Sequence, residues 1–177
     1  MAYIGKTPTP QPLTATDIPD LPATKITSGT FPALNGSNLT NISAGKILQV
    51  VQGNTTTTVQ HATSYGDTNL SASITPSSSS NKVLIMIQQA CFTGGNSGGS
   101  IKLLRGSTSI YTPSENYAFY GDGSSLDLRN YHCFNFLDTP STTSATTYKT
   151  QGISYNSTAF KTNSSFTSFI TLMEVSA

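Results

Sequence analysis

The sequence predicts an all-β protein in two parts: an extended N-terminal arm or stem over residues 1–44 and a jelly-roll-like β-sandwich head over residues 45–177. Three observations carry this reading. Charged residues make up only 10% of the chain, and Ser, Thr, Asn and Gly stand in their place. From Gly45 onward, short β-branched and aromatic runs recur at roughly ten-residue spacing between turn clusters, with no amphipathic helical pattern. Six of the nine prolines fall before residue 33.

Low charge here does not mean disorder. Disordered chains are poor in aromatic and β-branched residues, whereas this one has eight Tyr, eight Phe and abundant Val, Ile and Thr. Thr suits a pleated surface because its branched Cβ packs well there. A net charge of +1 with scattered Lys and Arg argues against nucleic acid as partner, since polyanion binding needs a basic stripe to neutralise phosphates. No run approaches the ~20 apolar residues of a membrane helix. Met1–Lys6 leads into Thr and Pro, not an apolar segment, so the expectation is synthesis in a cytoplasm without membrane insertion.

In the arm, Pro8, Pro10, Pro12, Pro19, Pro22 and Pro32 forbid a regular helix and interrupt any ladder. Between and beyond them stand Ile18, Leu21, Ile26, Phe31, Leu34, Leu39 and Ile42, at steps that match neither the helical nor the strand period. Such side chains need something to bury against. Either the arm lies along a larger surface, or several copies wind together around an apolar axis; a flexible tail is the bland alternative.

In the head, strands are expected over Lys46–Gln52, Thr55–Ala62 and Leu70–Ile74, the last stopped by the turn-forming run at Thr75–Asn81. Lys82–Cys91 is apolar on both faces in its first half and reads as a central, two-sided strand. Gly94–Gly99 (GGNSGG) reads as a loop. Ser100–Arg105 and Ser107–Thr112 flank Gly106 and pair or form a bulged strand. Tyr131–Leu137, Thr143–Gly152 and Phe166–Val175 complete the set.

Signals for chemistry are sparse. His61 and His132 each sit in strand-like runs and read as structural. Asp122 and Asp127 flank a loop, and only an opposed pair of carboxyls about 5–10 Å apart would suit glycoside cleavage. The same loop lacks the ligand-dense spacing of a calcium site. No metal or other cofactor is expected. Cys91 and Cys133 lie in apolar runs, where buried free thiols are expected, and a bridge is open if their strands adjoin.

The stretches MAYIGKTPTPQPLTATDIPD at Met1–Asp20, LPATKITSGTF at Leu21–Phe31 and LNGSNLTNI at Leu34–Ile42 resemble the N-terminal parts of virion fibre proteins of tailed bacteriophages, particularly those of marine bacteria. The head is similar to the C-terminal domains of such proteins in GKILQVVQ (Gly45–Gln52), ITPSSSSNKVLIMI (Ile74–Ile87), KLLRGST (Lys102–Thr108), LDTPSTTSATTYK (Leu137–Lys149) and FITLMEV (Phe169–Val175). The resemblance implies a homotrimeric virion component. Its arm would bind other virion proteins, its copies would share a short intertwined stem, and its knob would meet a host surface glycan or protein. The near absence of a shaft departs from long tail fibres and leaves a capsid-decoration role open; a polysaccharide-cleaving enzyme is the third class. Within this frame the Tyr-rich stretch Tyr111–Tyr131 is the candidate receptor contact, through Tyr111, Asn116, Tyr117, Tyr120, Asp122 and Arg129. Tyr offers a rigid apolar face with a polar tip, and the others supply directional hydrogen bonds. Core or subunit-interface packing is the competing role for these aromatics.

Overall fold

The computed structural model describes residues 46–177 apart from 114–117, 122, 124–126 and 156–158. The arm, with Ile18, Leu21, Ile26, Phe31, Leu34, Leu39 and Ile42, lies outside the described residues. Among those described, the strands in chain order are β1 (Ile47–Thr55), β2 (Val59–Gln60), β3 (Gly66–Ile74), β4 (Lys82–Thr93), β5 (Ser97–Arg105), β6 (Thr108–Tyr111), β7 (Phe119–Gly121), β8 (Leu128–Asp138), β9 (Thr146–Ser154), β10 (Lys161–Thr162) and β11 (Ser168–Val175).

They build two antiparallel sheets. In the larger sheet β4 is central: β8 pairs along one side, and β11 followed by β1 along the other, where β10 and β2 continue past the end of β11. In the smaller sheet the order is β3-β9-β5, with β6 and β7 sharing the remaining side of β5. Among strands of four or more residues, only the β5–β6 hairpin stays within one sheet; every other step crosses to the opposite layer.

The inward faces follow the strand period. Val83, Ile85 and Ile87 of β4 and Ile170 and Leu172 of β11 meet Leu70 and Ile74 of β3, Leu103 of β5 and Tyr148 of β9 in one core. Alternating side chains from both layers thus close a β-sandwich, as the sequence reading expected of the head.

Three differences from that reading have physical causes. The strand expected over Thr55–Ala62 is split: Thr55 ends β1 and only Val59–Gln60 forms β2, and between them the Thr57 carbonyl accepts from a side chain, Asn163 Nδ2 (2.8 Å). The glycine-rich loop contracts, and Ser97, Gly98 and Gly99 join β5. Glycine is needed there for close approach: a Cβ on Gly99 would sit 2.4 Å from the Phe160 ring, which is buried against Cys91 and Ile101. Gly99→Ala is expected to cost about 1–3 kcal/mol as Phe160 is displaced, measured by chemical unfolding; an unchanged midpoint would contradict this packing. Third, only Cys91 is buried. Cys133 is exposed, because Cys91 points into the sandwich and Cys133 points out of it, so their neighbouring strands do not bring the thiols together and both are free.

Candidate functional site

Of the residues assigned to a receptor contact, Tyr111, Tyr120 and Arg129 are described. Asn116, Tyr117 and Asp122 lie outside the described residues. Tyr111, at the end of β6, is half-buried, with its ring 5.2 Å from Phe136 and 5.6 Å from Phe134, so it packs at the margin of the core. Tyr120 is exposed on β7 of the smaller sheet. Arg129 stands on β8 of the larger sheet, its guanidinium 5.0 Å from the centre of the Phe92 ring and 3.9 Å from the Asp127 carboxylate. Lys161 approaches the same ring (5.6 Å), and Tyr131 lies 5.8 Å from Phe166. The sequence did not join Phe92 or Lys161 to Arg129, because these meetings depend on the pairing of β4 with both β8 and β10.

His61 is 2% exposed, its Nε2 lies 2.9 Å from Thr162 Oγ1, and its ring packs against Phe160. Burial lowers its pKa to about 4 against a smaller opposing effect of the Gly152 backbone, so the ring is neutral at physiological pH. A neutral imidazole beside a hydroxyl is the beginning of a nucleophile–base pair. Here both groups are shut in the interior, so the pair fixes packing between β2, β9 and β10. His132, on β8, is half-buried with its ring against Phe134, and burial lowers its pKa as well.

Polar groups inside the sandwich are densely satisfied. Gln89 donates to Asn163 Oδ1 (2.6 Å) and Ser168 Oγ (3.0 Å) and accepts from Thr150 Oγ1 (2.8 Å). Asn163, in the left-handed region at φ 58°, donates in turn to the carbonyls of Thr57 and Thr68. This network joins β4 and β11 of one sheet to β3 and β9 of the other. At the rim, the buried Glu174 carboxylate accepts from Gln49 Nε2 (2.6 Å), Asn81 Nδ2 (2.6 Å), and the Ser77 backbone N–H (2.7 Å) and hydroxyl (2.8 Å). Asp138 holds Arg105 through both carboxylate oxygens (3.0 and 2.9 Å) and accepts from the Tyr148 hydroxyl (2.7 Å). These contacts pin loops to strand ends.

An accessible feature of the described head is the outward face of the larger sheet. Register places Val50, Met173, Leu84 and Leu137 side by side in one row across β1, β11, β4 and β8. The next row is Gln52, Thr171, Met86 and Asn135, and the one after is Asn54, Phe169, Gln88 and Cys133. None of these twelve positions carries a charge. Val50 is 56%, Leu137 50% and Met86 45% exposed. The last two rows border a shallow depression of about 530 Å³ lined by Met86, Gln88, Cys133, Asn135, Phe169 and Thr171, among others. Contiguous exposed apolar surface of this kind marks an interaction face more often than a bare exterior.

The fold and this face define a two-layer antiparallel β domain with an apolar core, a buried hydrogen-bond network and an outward sheet face whose three rows carry no charge. A scan of protein-family models finds no match to the chain, and a search among curated proteins finds none either.

Proposed function

We propose that this chain is a structural component of a phage virion: a short trimeric tail fibre that attaches to the particle by its arm and contacts the host surface with its β head. The observation that carries the reading is the strand order. Four long strands in the order β1-β11-β4-β8 lie over β3-β9-β5-β6, the nested arrangement of a jelly roll, an architecture used by viral capsid and lectin domains. Folds host many functions, so the strand order supports the proposal only together with the motif series from Met1 to Val175 that resembles phage fibre proteins. Among the described residues, Tyr120 and Arg129 remain the candidates for host contact.

A capsid-decoration protein is the second reading, favoured by the near absence of a shaft between arm and head. In both, the interior hydrogen bonds serve rigidity and the arm would supply attachment. Antibody against the head, applied to intact particles and viewed by electron microscopy, separates them. Label at the tail is the expected result, label over the shell would move the assignment to decoration, and particles without label would overturn both. An enzyme would instead release reducing ends from host polysaccharide, with Asp127→Ala abolishing the release.

A further inference from the structure

We infer that the outward face of the larger sheet is where copies of this chain pack against one another, so that the heads themselves, and not only the arms, hold the assembly together. This rests on the trimeric reading above and names the surface that the trimer buries.

The argument begins with a mismatch between sequence and fold. A strand that is apolar on both faces belongs where both faces are covered. Lys82–Ile87 has that pattern, and Val83, Ile85 and Ile87 are indeed sealed inside the sandwich. Leu84 and Met86 alternate with them and point the other way, onto a face that no second layer of the described head covers. β11 repeats the arrangement, with Ile170 and Leu172 inside and Phe169 and Met173 outside.

Three features choose a second copy as the occupant. The three rows of the face are free of charge while Lys82, Arg129 and Lys161 stand at its ends, the depletion of charge from the core of subunit interfaces. A nucleic acid or an acidic glycan would need cations in the middle. The polar groups of these rows are the amides Gln52, Asn54, Gln88 and Asn135 and the Thr171 hydroxyl, which carry donor and acceptor alike and can bond to the same groups of an identical chain around a rotation axis. Finally, the chain enters the described head at β1, which brings Ile47 and Val50 to this face. Copies that share their arms would thus start their heads side by side at this sheet. Three rows across four strands project to roughly 400 Å², from about 4.8 Å between strands and about 3.4 Å per residue. That is about half of the roughly 800 Å² one partner contributes to a standard interface, a fitting size for its charge-free centre.

Cys133 sits in the third row and gives the test a direct readout, because Cys91 is buried in the single head and Cys133 is not. The full-length protein is to be labelled with a maleimide under native conditions across a dilution series, with sedimentation run in parallel. Expected is a trimer whose Cys133 resists labelling, and protection that disappears on dilution together with the trimer. Met86→Lys and Leu137→Lys, at positions already exposed in the single chain, should raise the concentration for half-dissociation by about 100-fold or more while circular dichroism stays that of a folded β protein. A trimer with freely reactive Cys133 would overturn the inference and leave the virion assignment standing, since the arms alone would then hold the copies. A monomer with protected Cys133 would show that something other than a second copy covers the face, and a monomer with reactive Cys133 would defeat the inference and the trimeric reading together.

Discussion

Glu174→Gln is expected to destabilise the head by about 2–3 kcal/mol at neutral pH, the range for hydrogen bonds to a charged group, and to abolish part of its acid sensitivity. Burial alone would push the Glu174 pKa up. The hydrogen bonds from Asn81, Gln49 and Ser77 outweigh it and hold the carboxyl at about 2, below its ordinary 4.5. A carboxyl whose pKa is lower in the folded than in the unfolded state stabilises the fold fully above the unfolded value. That contribution is lost as the pH falls from about 4.5 toward about 2. Denaturant titrations at several pH values check this: the wild type should lose stability through that window, and Glu174→Gln should start lower and lose less. Parallel curves would show that the carboxylate does not carry the charge-linked stability assigned to it. The consequence is structural, since Glu174 ties β11 to β1 and to the Thr75–Asn81 connection between the two sheets.

Gln89→Leu should be of similar effect, on the order of 3 kcal/mol, because three buried partners each lose a hydrogen bond. Thr150 loses its acceptor on Oε1, and Asn163 Oδ1 and Ser168 Oγ lose a donor, all at buried residues. A loss of that size corresponds to a melting temperature lowered by roughly 10 °C. Leu is nearly the same volume, so the experiment separates hydrogen bonding from packing; a melting temperature within a degree or two of wild type would remove the network from the account. Gln89 joins the two layers through Thr150 of β9, 61 residues away, while it also holds Ser168 of its own sheet, and that cross-linking fixes how one sheet sits on the other.

The sequence disclosed most of the strand framework because β-branched and aromatic alternation is a local signal. It located the central strand at Lys82, the break at Gly106 and the alternation of the closing strand. It could not disclose β7 and β10, which are two or three residues long and exist only because β5 and β4 offer them an edge. Nor could it show that Gln88 faces outward while Gln89 is the hub of a buried network, since two adjacent glutamines look alike until their distant partners are known. In the Tyr-rich stretch, too, the packing of Tyr111 depends on distant partners. Composition marked Tyr111 as a recognition residue, yet the turn at Gly106 folds β6 back along β5 and lays that ring against Phe134 and Phe136. The outward sheet face was legible in principle. Its mark was the two-sided apolarity of Lys82–Ile87, which read as a strand covered on both sides when the head covers only one.

An image reconstruction of the intact virion tests the central claim most directly. The account predicts three β heads around a common axis, with the β1-β11-β4-β8 sheets turned toward one another and the arms leading into the particle. A single head standing alone on the virion, with that sheet bare to solvent, would contradict it.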